Sequence, residues 1–173
     1  RYGLVGSEMC IRDSCKLDLF KDFCNTYIDK PILKVAGLNP HAGEEGILGN
    51  EEKDWLNSAL IAWNKKNRDI QLFGPLSPDS CWNSSAKAWL NKDAERHDGI
   101  LAMYHDQGLI PMKVIALNYS VNTTIGLPFI RTSPDHGTGF DIAGRGIAQC
   151  QSMIEAIKAA IEMNKNSRLL NTH

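Results

Sequence analysis

The chain has 173 residues, 43% of them apolar and 23% charged, with a formal net charge of −1. That length supports one ordinary domain with its own core, and the near-neutral balance excludes a general electrostatic attraction to nucleic acid or anionic membrane. No apolar run approaches the roughly 20 residues of a membrane helix, and the N-terminus lacks the basic start and apolar stretch of a signal peptide.

Residues 1–14, RYGLVGSEMCIRDS, carry no clear period. GSEMCIRDS resembles translated sequencing-adapter read-through, so these residues are expected to be a non-native leader. Over 15–30, Leu17, Phe20, Phe23, Cys24, Tyr27 and Ile28 fall at helical spacing, which predicts a helix. ILKVAGL (32–38) reads as a buried strand leading into NPHAGEEGILGNEE. Asn50, followed by Glu51 and Glu52, reads as a helix start with acids at the positive end of the dipole. Trp55, Leu56, Ala59, Leu60 and Trp63 continue that helix on one face. IQLFGP (70–75) is a second strand, SPDS (77–80) caps a helix to about Asn91, and DGILAMYH (98–105) is a third strand. Lys113–Leu117 and Ser120–Ile125 are shorter strand candidates. RTSPDHGTGFDIAGRG (131–146) reads as a Gly-rich polar loop. A last helix, from about Ala148 to Asn164, carries Met153, Ile154, Ile157 and Ile161 at helical spacing, ahead of a fraying tail.

Strands alternating with amphipathic helices predict an α/β protein with a mainly parallel sheet covered on both faces. In such sheets ligands bind beyond the carboxyl ends of the strands. Five cysteines stand at 10, 15, 24, 81 and 150 without a Cys-x-x-Cys pair. They read as reduced thiols of a cytoplasmic protein, and no second pair completes a metal site with Cys10 and Cys15.

Two of the five histidines follow predicted strands: His41 after ILKVAGL and His105 after DGILAMY. Each alone reads more readily as a surface or satisfied structural histidine, but both have polar, Gly-rich flanks. Imidazole is the common nitrogen ligand of zinc and similar divalent ions. No H-x-x-x-H or H-E-x-x-H spacing occurs, so a metal site would be assembled from distant segments. Lys113, Asn122 and Arg131 are a second set; Lys and Arg with an amide donor suit a phosphate or carboxylate, although on the residues alone three unrelated surface side chains is the preferred reading. HGTGFDIAGRGIA (136–148) is neither a G-x-G-x-x-G fingerprint nor a P-loop. Its glycines permit close backbone approach to a nucleotide, and Asp141 can accept hydrogen bonds from ribose hydroxyls. A plain Gly-rich turn is the alternative.

NPHAGEEG, GPLSPDS, GILAMYHDQGLIPMKV and NTTIGLPFIRTSPDHGTGFDIAGRGIA occur in this order. Over roughly Leu33 to Asn164 the chain closely resembles the C-terminal half of the 4-hydroxythreonine-4-phosphate dehydrogenase family of pyridoxal phosphate biosynthesis. The resemblance implies a truncated isocitrate/isopropylmalate dehydrogenase-like α/β fold. It makes His41 and His105 metal ligands, the third being an upstream histidine. It assigns Lys113, Asn122 and Arg131 to the anionic substrate, Asp79 and Asp106 to acidic positions near the site, and His136, Gly137 and Asp141 to NAD. Glu45 stands where many relatives have glycine, and the stretch around 81–98 is longer than in relatives.

The activity so implied is an NAD-dependent oxidation of a secondary hydroxyl followed by decarboxylation, with a divalent metal (Zn, Mg or Co) stabilising developing oxygen charge. The implied substrate is 4-phosphohydroxy-L-threonine and the product 3-amino-2-oxopropyl phosphate. The implied assembly is a cytoplasmic homodimer with active sites at the subunit interface, so that His41 and His105 of one chain serve different sites. Neither nucleic acid nor membrane is expected as a partner. Alternatives are a sister specificity (threonate or erythronate 4-phosphate, or an aromatic cis-dihydrodiol acid) and an inactive truncated domain that binds nucleotide or metal; a metal-dependent hydrolase is disfavoured. The expected organisation is a leader at 1–14, an α/β domain at 15–147, and a helix and tail at 148–173 that pack on an absent N-terminal domain. The stripe Met153, Ile154, Ile157 and Ile161 is then expected to be only partly covered, and the chain alone inactive.

Overall fold

A computed structural model describes residues 6–116 and 118–170, with side chains over 14–116 and 118–166. Residues 1–5 of the expected leader, Leu117 of an expected strand and the terminal 171–173 lie outside the described residues. Contacts divide the chain into two units, the first ending at Pro111 and the second beginning at Met112.

In the first unit Ile32–Ala36 (β1), Gln71–Leu76 (β2) and Gly99–Leu101 (β3) form a parallel sheet in the order β2-β1-β3. Leu33 pairs with Leu72 on one side and Gly99 on the other. β1 is central because it is the most apolar strand: Leu33, Val35 and Ala36 have no exposed surface. β2 is an edge strand, which accommodates Pro75, since proline cannot donate to a ladder.

Leu33 and Val35, two residues apart, share one face of the sheet. There they cluster with Leu17 and Cys24 of α1 (Gly6–Asn25), Trp55 and Leu56 of a π-helical turn (Glu52–Leu56), and Leu60 and Trp63 of α2 (Asn57–Lys66). Burying each large side chain contributes roughly 1.5–3 kcal/mol. The Trp63 indole N–H remains satisfied by donating to Asp18 Oδ1 at 2.8 Å. The opposite face carries Lys34, whose buried ammonium donates to Glu95 Oε2 at 2.8 Å and to Ser84 Oγ of α3 (Asn83–Trp89) at 3.3 Å. Unpaired, that buried charge would be strongly destabilising.

Several expected boundaries move. α1 runs back to Gly6, past the expected start at 15, and ends at Asn25 rather than 30. Lys30 has a positive φ of 55° and precedes Pro31, a position that disfavours helix. The helix expected over 77–91 shrinks to Asn83–Trp89, because Ser77 turns its hydroxyl to Asp79 instead of capping a helix. β3 ends at Leu101, not 105, and the strand expected at 113–117 is helix: α4 spans His105–Ala116. A short apolar run does not by itself separate strand from helix. Asp106, in the first turn, favours the helix N-terminus, and Pro111 is carried inside at the loss of one backbone bond.

In the second unit Val121–Thr124 (β4) and Arg131–Pro134 (β5) form an antiparallel ribbon. α5 (Gln151–Leu170) packs on it through Ser152 and Ala156, which are buried. Thr132 Oγ1 donates to the Ala156 carbonyl at 2.9 Å, and the Asp135 N–H donates to Ser152 Oγ at 3.2 Å. Met153, Ile154, Ile157 and Ile161 are 49%, 39%, 54% and 51% exposed, so this stripe is partly covered, as expected. No helix among the described residues is long and apolar enough to cross a membrane.

Candidate functional site

Three candidate residues follow three parallel strands: His41 after β1, Asp79 after β2 and His105 after β3. Parallel strands end on one side of their sheet, so all three emerge at the same, carboxyl edge.

The chain reaches His41 through an uncommon turn. His41, Ala42, Gly43, Glu44 and Glu45 all have left-handed backbones, with φ of 52°, 55°, 82°, 43° and 56°. A left-handed residue that is not glycine costs about 1–2 kcal/mol, so four of them store roughly 4–8 kcal/mol. The buried Glu52 carboxylate accepts the N–H groups of Leu38 and Asn39, each at 2.7 Å, and Asn39 Nδ2 at 2.8 Å. Asn39 Nδ2 also donates to Glu51 Oε2 at 2.6 Å. Burial pushes the Glu52 carboxyl up, but the bonds from Asn39, its own backbone and Leu38 outweigh this and hold it below its ordinary value. The Asn39 amide lowers Glu51 as well.

His41 and Asp79 line one cavity of about 300 Å³ with Leu38, Pro40, Pro78 and Tyr104. The Ser77 hydroxyl, 2.5 Å from Asp79 Oδ1, holds that carboxyl below the usual range, with a smaller contribution from His41. His105 Nδ1 lies 2.7 Å from Asp106 Oδ1, and both side chains are exposed. In the tautomer that donates Nδ1–H to Asp106, Nε2 is left as the ligating nitrogen. Gln107 is buried and ties the strand ends together: its Nε2 donates to the Gly37 carbonyl at 2.6 Å, and its Oε1 accepts the Met103 N–H at 2.7 Å.

In the second unit the ribbon brings Asn122 and Arg131 to one face, Asn122 opposite Ser133 and Arg131 opposite Thr124. Arg131 Nη1 donates to Thr124 Oγ1 at 2.8 Å. Lys113 is held elsewhere, by the Asp135 carboxylate at 3.2 Å and its carbonyl at 3.4 Å. His136, Gly137 and Asp141 line a cavity of about 790 Å³ together with Asn118, Gln149 and Ser152.

A Cβ added at Gly137, Gly144 or Gly146 would meet nothing within 4 Å, so no neighbouring atom crowds these glycines. His41 and His105 have the right donor chemistry, but no group of three or more His, Cys, Asp or Glu that could hold an ion occurs among the described residues. Burial, with Asp98, pushes the Cys24 thiol up to about 11, and burial raises Cys81, which disfavours both of these thiols as nucleophiles. Sequence reasoning missed Glu52 as a clamp, together with Gln107, Tyr104 and Asp135. Glu52 was visible only as a helix-starting acid.

The class defined by this fold and site is an α/β protein with imidazoles and acids just beyond the ends of parallel strands. Residues 13–160 match the family model described as "Pyridoxal phosphate biosynthetic protein PdxA", and the chain belongs to that family. It is 53% identical over 150 residues to the 4-hydroxythreonine-4-phosphate dehydrogenase of Synechococcus sp. (strain RCC307), covering 86% of this chain and 46% of that protein. A crystal structure of 4-hydroxythreonine-4-phosphate dehydrogenase from Klebsiella pneumoniae superposes with a TM-score of 0.70 at 38% identity, covering 87% of this chain and 43% of that one. A terephthalate 1,2-cis-dihydrodiol dehydrogenase from Burkholderia xenovorans superposes at 0.53 with 31% identity, covering 86% and 42%. The chain spans less than half the length of the curated relatives it matches.

Proposed function

We propose that the chain is part of an NAD-dependent, divalent-metal-dependent dehydrogenase that oxidises and decarboxylates 4-phosphohydroxy-L-threonine to 3-amino-2-oxopropyl phosphate, on an isocitrate/isopropylmalate dehydrogenase-like fold. The observation that carries this reading is the family match over 13–160, a span that holds every candidate residue from His41 to Asp141. Arg131 offers a guanidinium fork to phosphate or carboxylate, with the Asn122 amide on the same face of the ribbon. Lys113 supplies a second cation if the substrate anion displaces Asp135. His136, Gly137 and Asp141 hold the adenosine end of the cofactor, Asp141 as acceptor for ribose hydroxyls. NAD bound there supplies the hydride acceptor. Asp106 orients His105, and Asp79 stands beside His41 as a candidate proton carrier.

His41 and His105 are proposed as ligands of a divalent ion (Zn, Mg or Co) whose centre is completed in a homodimer, His41 serving one site and His105 the other. The absence of a three-donor group among the described residues supports completion from outside. The test fuses the chain to the remaining portion of the Synechococcus relative and follows NADH formation. Turnover of 4-phosphohydroxy-L-threonine, lost on chelation, is expected. The likeness to the cis-dihydrodiol dehydrogenase favours a second reading, so an aromatic cis-dihydrodiol acid and threonate 4-phosphate are further arms. No turnover of any of the three overturns the dehydrogenase reading.

A further inference from the structure

We infer that Glu52 is the positioning residue for His41, holding through its carboxylate the left-handed turn from which that imidazole projects. The inference rests on the proposed function for what His41 does, and on geometry for where His41 is held.

His41 is exposed, and no hydrogen bond among the described residues fixes its ring. Its backbone lies in a conformation L-residues avoid, so where the imidazole stands depends on how that turn is held. Asn39, two residues earlier, is still extended at φ −96° and ψ 158°, so the backbone changes hand between Asn39 and His41. Glu52 grips the chain just before that change, taking the Leu38 and Asn39 N–H groups on Oε1 and the Asn39 amide on Oε2. It also braces the middle of the turn: a Cβ on Gly43 would lie 2.8 Å from Glu52 Oε2. At the far end of the turn Leu48 N–H donates to the Gly43 carbonyl and Ile47 N–H to that of Glu44, and the Asn50 side chain packs against Gly46. Glu52 is 3% exposed, and the first residue of the turn into α2. The carboxylate thus couples a rigid helix entry to the loop that carries His41. Glu51 is exposed and bonds the Asn39 side chain rather than the Leu38 and Asn39 N–H groups, so it contributes no comparable hold.

The test uses the 173-residue chain carrying isotope-labelled histidine, with the His41 imidazole resonances assigned by His41→Gln. Glu52→Ala removes the acceptors, Glu52→Asp withdraws the carboxylate by one methylene, Glu52→Gln keeps an oxygen for the two backbone donors, and Glu51→Gln is the control. In folded Glu52→Ala the His41 resonances are expected to move to those of an unstructured histidine, while those of His97 stay. Glu52→Gln is expected to restore most of the native His41 position, and Glu51→Gln to move nothing. If Glu52→Ala does not fold, Glu52→Asp carries the test. Unmoved His41 resonances in a folded Ala or Asp variant overturn the inference. So does unfolding of both, which makes Glu52 a general stability residue. The readout needs no metal, cofactor or turnover, so its failure and that of the dehydrogenase reading are separate results.

Discussion

At the residue scale the left-handed run sets the clearest energetic expectations. Glu45 is exposed with φ 56°. Glycine would remove a conformational cost of about 1–2 kcal/mol and add roughly 0.5–1 kcal/mol of unfolded-chain entropy. Glu45→Gly is therefore predicted to stabilise the chain by up to about 1.5 kcal/mol in urea unfolding; a lower midpoint would show that the turn is not strained there. Glu52 predicts the pH behaviour. Its folded value lies below the ordinary 4.5, so the unfolded chain binds the proton more readily. Its contribution is then fully present above 4.5 and is lost as pH falls through the folded value. Acidification below that point should lower the unfolding midpoint, and Glu52→Gln should flatten the acid slope. Equal slopes in the two proteins would remove Glu52 as the group responsible.

At the element scale, a single side chain joins the ends of β1 and β3. Gln107 satisfies the Gly37 carbonyl and the Met103 N–H from a buried position at the start of α4. Gln107→Leu leaves both backbone groups unsatisfied, at about 1–3 kcal/mol each, so a loss of roughly 2–6 kcal/mol is predicted by denaturant unfolding. A loss below about 1 kcal/mol would mean that water takes over both bonds. α5 offers a contrast between its two faces. Ala156, 3% exposed against the ribbon, leaves no room for growth, and Ala156→Leu should cost about 1–3 kcal/mol. Ile157, 54% exposed, should tolerate serine within about 1 kcal/mol while self-association falls. Equal effects at both positions would reverse the assignment of the packed face.

At the scale of the whole molecule, no group of three or more His, Cys, Asp or Glu that could hold an ion occurs among the described residues. The chain alone is predicted to give no NADH from 4-phosphohydroxy-L-threonine, and the fusion to the rest of a relative to restore it. In that fusion Arg131→Ala should raise KM for phosphorylated substrate about 10–100-fold, the loss of one or two charge-assisted bonds. An unchanged KM would free Arg131 from substrate recognition.

The sequence by itself determined the order and type of most elements and the places where His41, Asp79 and His105 follow the strands. Period-2 and helical apolar spacing, and the chemistry of His, Asp and Gly in four ordered motifs, are local properties that a linear reading captures. Only the tertiary structure decided that residues 105–116 are helix, because YHDQGLIPMKV fits either period until Gln107 reaches the ends of two strands. Only it revealed that β4 and β5 form an antiparallel ribbon whose register puts Asn122 and Arg131 on one face, while Asp135 holds Lys113. And only it turned Glu52 from a helix-starting acid into the clamp of the His41 turn. Its partners, Leu38 and Asn39, lie 14 and 13 residues away, and a hydrogen bond across that separation leaves no periodic trace in the sequence.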